Sequence, residues 1–183
     1  MRDIQPALRF KDLLGLKTIG IEYSTGSKDS TDGVAGVICL LKRKPLTSTK
    51  FPYLVISDNY DDLVSKDVDL VEITAIDQRF YEMLRNTPTK KLGIEIAVSK
   101  LRSADGQKLA KNLALVKSIH NFTERYGNQL VLTSGASSIF EMVSGRCFDA
   151  LLELCDVKPN TYWNSLNNWL DHKIGMRCYT CDT

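Results

Sequence analysis

The sequence predicts a single α/β domain built as a β/α barrel, in which parallel strands alternate with helices. Three observations predict this fold. Several runs are almost continuously apolar, as in strands buried on both faces, helical segments separate many of these runs, and no linker or repeat divides residues 1–183. With 43% hydrophobic and 25% charged residues, the chain can bury a core of its own, which excludes disorder as a description of the whole chain.

The chain opens with a helix-like segment at 4–14, and six strand-like runs follow. Several of the runs are rich in β-branched residues, which favour extended backbone. The segment 24–33 is polar and turn-rich, and the basic segment 42–50 contains Pro45, so both are predicted loops. The six predicted strands lie at 18–23, 34–41, 53–57, 68–73, 92–98 and 129–133.

Three helices are predicted in the second half of the chain. The clearest covers 106–126, because Asp105 suits an N-cap, Gly127 suits the left-handed residue after a helix end, and apolar residues recur every three or four positions. A second helix is expected at 146–155. A third follows Pro159, and its Trp163 and Trp169 share an apolar face that we predict to be buried against the sheet.

The net charge of +2 conceals segments of opposite sign. Residues 1–50 carry nine cations and five anions, and residues 90–125 carry eight and three. Residues 51–89 carry three cations and eight anions, and the carboxylates at 58–82 are interpreted as a solvated acidic face. A polyanion would be attracted to the two positive segments, although solvation of helix faces would also explain the charges.

Candidate cations for binding a polyanion follow from this charge pattern. Side chains of a basic loop can follow a phosphate backbone without disturbing a core, and residues just after a strand lie where barrels place their binding loops. The candidates from these two features are Lys42, Arg43, Lys44, Lys50, Lys100 and Arg102.

The small-residue segment 132–138 is a second candidate feature, because it follows a strand and is expected to precede a helix. Backbone N–H groups in such a segment can approach an anion, and a helix N-terminus adds favourable charge. Ser134 is therefore a candidate contact for an RNA backbone or for a phosphorylated small molecule. A tight turn without a ligand is the structural alternative.

Catalytic and metal chemistry finds little support in the residues. His120 and His172 belong to no zinc motif and are interpreted as packed or capping residues, and Cys178 and Cys181 have metal-ligand spacing without a second pair. Five scattered cysteines favour a reducing, cytoplasmic location over a disulfide framework. No secretory signal and no apolar run of membrane-spanning length is recognised, so no membrane partner is expected.

An ordered series of motifs resembles a known family, ribonuclease P protein component 3, the archaeal relative of the eukaryotic thirty-kilodalton subunit. The likeness covers about residues 68–170. Gly145 and Cys147 stand where the family has proline and aspartate, and Lys100 stands where proline is common. The matching motifs, in order, are the strand and serine at 93–99, the helix ending in Tyr126 and Gly127, the strand and turn at 130–136, and the segment 143–151 that contains Arg146.

The resemblance implies a TIM-like barrel, related to the PHP metal-dependent phosphoesterases, without their histidine ligands. The family usually opens with a short strand, whereas this chain opens with the helix-like segment 4–14, so we expect the first strand to be missing. It implies a non-catalytic subunit of ribonuclease P, the endoribonuclease that removes 5′ leaders from precursor tRNA. The protein itself would bind no cofactor, because the RNA subunit cleaves with Mg²⁺. Partners would be that RNA, precursor tRNA and other protein subunits, including a small sister subunit in a heterotetramer. With RNA as the polyanion, the candidate cations named above and Ser134 become candidate RNA contacts, and Arg146 joins them.

Two other functions stay open on the residues alone. One is a small barrel phosphoesterase, or another enzyme that holds a phosphorylated substrate at the 133–138 turn. The other is a scaffold that docks a protein partner without touching RNA. Affinity for RNA that rises steeply at low salt would separate the RNA-binding function from both.

Overall fold

The computed structural model describes residues 5–23, 37–42, 52–59, 61–62, 65–73, 78–85, 91–102 and 104–178. Six strands form one parallel sheet in which each strand is hydrogen-bonded to the next along the chain. The α/β class and all six predicted strands are confirmed, with their ends shifted by at most three residues. The strands are β1 (Ile19–Tyr23), β2 (Val37–Lys42), β3 (Tyr53–Ser57), β4 (Leu70–Glu72), β5 (Gly93–Ala97) and β6 (Gln129–Thr133).

Six helices accompany the sheet in the part of the chain that the structure describes. The opening helix and the three helices predicted in the second half of the chain are confirmed. No helix in the described ranges is both long and apolar enough to cross a lipid bilayer. The helices are α1 (Gln5–Leu13), α2 (Gln78–Arg85), α3 (Val98–Arg102), α4 (Gly106–Tyr126), α5 (Gly145–Leu154) and α6 (Pro159–Cys178).

The sheet curls into a half-barrel, so the predicted barrel is open between β1 and β6 in the part of the chain described. Helix α6 contacts both β3 and β6, which are not neighbours, because the sheet wraps around it. Gly93 of β5 allows α6 to pack closely against the sheet. A Cβ atom there would lie 2.6 Å from Leu70 Cδ1 and 2.7 Å from Trp169 Cζ2, inside van der Waals contact. We call the face that holds Gly93 the inner face.

Both predicted caps of α4 are present. The side chain of Asp105 accepts a hydrogen bond from the N–H of Lys108 at 2.9 Å. Gly127 has φ +69°, and its N–H donates to the carbonyl of Thr123. These contacts satisfy backbone groups that have no partner within the helix, and they fix its ends at the predicted residues.

The free edge of β6 is covered by side chains rather than by another strand. Leu132 N–H donates to the hydroxyl oxygen of Tyr162 at 2.9 Å, and Gln129 Nε2 donates to the carbonyl of Leu130 at 2.8 Å. The backbone N–H and C=O groups of residues 130 and 132 point away from β5, because these groups alternate sides from one residue to the next along a strand. Complete burial raises the pKa of Tyr162, which keeps its hydroxyl neutral.

One expectation about the acidic segment is wrong. Asp69 is not part of a solvated face, because it is 4% exposed just before β4. Its carboxylate accepts the N–H of Val55 at 3.0 Å and pairs with Lys173 of α6. A carboxylate can be buried in this way only where a cation and hydrogen-bond donors meet it.

Candidate nucleic-acid interface

The ends of β5 and β6 bring three predicted contact residues to one edge of the sheet. Helix α3 continues directly from β5, so Lys100 and Arg102 lie at the carboxyl edge. The carbonyl of Ser134, the first residue after β6, accepts the N–H of Ser99 at 3.1 Å. Because parallel strands end at the same edge, Lys100, Arg102 and Ser134 lie on one side of the molecule, as predicted.

In the turn after β6, two backbone N–H groups that could meet an anion are hydrogen-bonded within the chain. Ala136 N–H donates to Ser134 Oγ at 3.3 Å, and Ser137 N–H donates to Glu141 Oε2 at 2.7 Å, so both donors already have acceptors. Gly135 has φ +58°, and a Cβ atom there would lie 2.8 Å from Ala97 Cβ, which explains the glycine. The tight-turn alternative is therefore the one the structure supports.

The helix expected after this turn is α5, which begins at Gly145. A 3-10 turn, Ile139–Glu141, separates α5 from the small-residue segment. The N-terminus of α5 is therefore not part of the turn that contains Ser134.

Two arginines flank the connection between β6 and α5. Arg102 Nη2 donates to the carbonyl of Glu141 at 3.1 Å, and Arg146 lies exposed in the first turn of α5. A cation in the first turn of a helix is unfavourable with the helix dipole, so a bound anion would stabilise this position. We call Arg102, the 134–144 connection and Arg146 the rim.

Exposed apolar side chains adjoin the rim. The ring of Phe140, 82% exposed, makes an edge-to-face contact with Phe10 of α1, with centroids 6.0 Å apart. Leu13 lies one helical turn after Phe10 and is 80% exposed. The N–H of Gly145 donates to the carbonyl of Leu14 at 3.2 Å, which ties the start of α5 to α1. Neighbouring exposed apolar residues often mark a surface that contacts another molecule.

Carboxylates on the inner face neutralise two of the predicted cations. Lys42 Nζ lies 3.2 Å from Glu22 Oε2, and Lys100 Nζ lies 2.6 Å from Glu72 Oε1. The register places Glu72 beside Glu95 on adjacent strands. We call these five side chains the mouth. The three glutamates of the mouth, Glu22, Glu72 and Glu95, were missed in the sequence. Strand alternation sets the face of each residue but not which residues meet across strands.

The mouth carries more negative than positive charge. Burial raises the pKa of Glu95, and Glu72 and Glu22 raise it further. The hydroxyl of Thr133, which donates to Glu95 Oε1 at 2.7 Å, acts in the opposite direction. With three glutamates against two lysines, the mouth offers a polyanion little attraction. Among the described residues, no carboxylate forms an ion pair with Arg102 or Arg146 of the rim, and Arg102 donates to a backbone carbonyl.

Several predicted features lie outside the described residues. They are the loop at 24–33, the part of the basic segment 42–50 that follows Lys42, with Arg43, Lys44 and Lys50, and Cys181. Their roles stay predictions. Ser134 is partly buried and its hydroxyl accepts a backbone N–H, so its position favours a structural role in the turn.

The sequence did not predict that the two histidines share one cavity. His120 of α4 and His172 of α6 line the same cavity, at the edge of the sheet opposite the rim. His172 is exposed rather than packed. In the ranges that the structure describes, no group of three or more His, Cys, Asp and Glu side chains is arranged to hold a metal ion.

The described residues thus define an α/β half-barrel with an arginine rim. No protein-family model and no curated protein sequence matches the chain. A solved structure with a similar chain is the cryo-EM structure of archaeal ribonuclease P with mature tRNA, with a TM-score of 0.68. The likeness covers 98% of this chain and 89% of that chain. At 13% sequence identity, it shows a shared fold.

Proposed function

We propose that this chain is a protein subunit of ribonuclease P, which supports removal of 5′ leaders from precursor tRNA by binding RNA. The observation that carries the proposal is the likeness over almost the whole chain to a chain in archaeal ribonuclease P with mature tRNA. The ordered motifs between residues 68 and 170 resemble ribonuclease P protein component 3. They support the same assignment independently of the likeness in fold.

The rim is the RNA-contacting surface in this proposal. Guanidinium groups form paired hydrogen bonds with phosphate oxygens, and Arg102 and Arg146 present two of them on either side of one connection. The mouth, with its excess of carboxylates, disfavours entry of a phosphate backbone. RNA would therefore pass over the rim and would not enter the half-barrel.

The chemistry in this proposal belongs to the RNA partner. Mg²⁺ bound by the RNA subunit would orient the attacking water and stabilise developing charge. The protein would neutralise phosphates and so hold the folded RNA at lower Mg²⁺ concentrations. The exposed side chains of Leu13, beside the rim, and Phe140, within it, would supply a contact for a sister protein subunit, since the described chain buries neither.

Reconstitution tests the proposal. The purified chain is assayed on precursor tRNA alone, and then with the ribonuclease P RNA and its other protein subunits. We expect no cleavage by the chain alone and increased cleavage at low Mg²⁺ when it joins the other components. Sequencing RNA that copurifies with a tagged chain should recover the ribonuclease P RNA.

A matched variant makes this experiment sharper. Arg102→Ala combined with Arg146→Ala should lose the stimulation, whereas alanine at the exposed Lys108 and Lys111 of α4 should retain it. Cleavage by the chain alone that disappears in Glu95→Gln would contradict the proposal, because the mouth would then be an active site.

A further inference from the structure

A half-open cavity lies at the amino-terminal edge of β5 and β6, on the opposite side of the sheet from the rim. It has a volume of about 370 Å³, within the range of small-molecule sites. The end of α4 and the middle of α6 form its walls. Its polar lining includes Lys91, His120, Glu124, Asn128, Asn168 and His172.

A buried hydrogen-bond donor in this lining has no acceptor. Asn128 is 8% exposed, and its Oδ1 accepts the N–H of Leu92 at 3.0 Å. That contact fixes the orientation of the amide, because exchanging its oxygen and nitrogen would leave the N–H of Leu92 without an acceptor. The other end of the amide, Nδ2, then has no partner in the described structure. Such an unpaired donor is unfavourable, and an acceptor atom of a ligand would relieve it.

Lys91 adds a cation on a strained backbone. Its φ of +46° lies in the left-handed region that favours glycine, yet the position holds a lysine. Its carbonyl accepts Trp169 Nε1 at 2.6 Å, which joins this residue to α6. Backbone strain of this kind persists where the surroundings enforce it, and it is frequent at functional sites.

Other side chains of the cavity lining can bind a phosphate, a base or a ribose. His120 Nε2 lies 3.6 Å from Glu124 Oε1 on one wall, and His172 stands on the other. Imidazole and ammonium groups can donate to phosphate oxygens, and imidazole rings can also stack on a base. A carboxylate is the group that proteins use to accept hydrogen bonds from ribose hydroxyls.

We propose that this cavity binds a phosphate-bearing ligand of nucleotide size. Lys91 and the two imidazoles face its phosphate, Glu124 accepts from its ribose, and Asn128 Nδ2 donates to one of its acceptor atoms. The ligand is either a free mononucleotide or one unpaired nucleotide of an RNA strand. This inference goes beyond the proposed function, because it concerns the opposite edge of the sheet and is tested with a free nucleotide.

The two tryptophans of the chain provide a built-in readout. The indole N–H of Trp169 donates to Lys91 beside the cavity, and that of Trp163 donates to Asp149 Oδ1 at 2.6 Å. Titration of the ¹⁵N-labelled chain with uridine monophosphate should shift the indole signal of Trp169 and leave that of Trp163 unchanged. A Trp169 signal that does not move by about 10 mM nucleotide, where even a millimolar site is mostly filled, overturns the proposal.

Substitutions test the role proposed for each cavity residue. Lys91→Gly should weaken uridine monophosphate binding about tenfold by removing a charged donor, while thermal stability is kept or raised because glycine tolerates this φ. Asn128→Asp keeps the acceptor for Leu92 and replaces the free donor with an anion, so binding should be lost. Lys111→Ala, at an exposed position of α4 outside the cavity, is the matched control. Equal weakening by the glycine and control variants would show general charge attraction and overturn the proposal.

Titrations with different ligands test which groups of the nucleotide are bound and whether it is free or part of an RNA strand. Glu124→Gln should weaken uridine monophosphate and leave inorganic phosphate unchanged, with Glu153→Gln on α5 as the control. Inorganic phosphate that binds as tightly as the nucleotide overturns the assignment of nucleotide size. Single-stranded oligouridylate that competes with the nucleotide at the Trp169 signal identifies the RNA source, and failure to compete identifies the free nucleotide. None of these outcomes depends on assembly with ribonuclease P RNA.

Discussion

The ammonium of Lys173 lies 3.4 Å from Oδ1 of Asp69, and the side chains of both are 6% exposed. This ion pair links α6 to the residue before β4, and Oδ2 of the same carboxylate accepts the N–H of Val55. A buried pair stabilises a fold weakly as a whole, but removal of one member leaves an uncompensated charge in the interior. The contact between α6 and the inner face therefore depends on both partners being present.

We predict that Lys173→Met lowers the free energy of unfolding by about 3–5 kcal/mol, because it leaves the carboxylate of Asp69 buried without its cation. Urea denaturation measures the change. Adding Asp69→Asn should recover part of the loss, since it removes the unpaired charge. Lys158→Met, at an exposed position, serves as the control and should change stability by less than about 0.5 kcal/mol. A single Lys173 variant as stable as that control would contradict the prediction.

Trp169→Ala should lower the free energy of unfolding by about 3–5 kcal/mol, because this ring is 6% exposed and fills the space above Gly93. Trp163 is half-buried, so Trp163→Ala should cost less. Thermal or urea unfolding of both variants makes the comparison. If the Trp169 variant unfolds like the native chain and only its binding to a partner weakens, this face of α6 is an interface and not part of the core.

Glu95→Gln should stabilise the protein at neutral pH. Burial raises the pKa of Glu95 above its ordinary value of 4.5, so the folded state favours the protonated carboxyl. That contribution is present below the unfolded pKa and is lost as pH rises through the folded pKa. The variant should therefore have a higher Tm than the native chain at about pH 7, and the difference should shrink toward about pH 4. Glu153→Gln at an exposed position of α5 is the control, and a difference of the same size at both pH values would refute the prediction.

Replacing Arg102 and Arg146 with alanine should weaken RNA binding and lower the slope of log affinity against log salt by about two, roughly one for each phosphate contact. Alanine at Lys42 and Lys100 should have a smaller effect, because glutamates already pair with both. Filter binding across a salt series measures the slopes, and thermal unfolding checks the fold. Equal losses from the arginine and lysine pairs would mean that the mouth contacts RNA as much as the rim does.

The regular elements were predictable because their signals are local. Apolar runs placed the six strands, and Asp105 and Gly127 placed the ends of α4 at the observed residues. Local signals also placed Lys100 and Arg102 after β5, and strand direction then set their edge of the sheet. The parallel direction of the strands was predictable as well, because strands that alternate with helices favour parallel neighbours.

The contacts between distant residues were not predictable from one sequence. Nothing local to Asp69 shows that Lys173 reaches it, and nothing local to His120 shows that His172 stands on the facing wall of one cavity. The ion pair of Lys100 with Glu72 likewise depends on which strands are adjacent.

The hydroxyl of Tyr162 has a consequence for self-association. An uncovered outer strand is a template on which another chain can extend the sheet, and this is a common route to aggregation. At β6 the template is blocked, because Tyr162 occupies the N–H of Leu132 and Gln129 occupies the carbonyl of Leu130. Two copies of the chain therefore cannot join edge to edge through β6 without first pulling α6 away. This half-barrel can stay open on that side without polymerising through it.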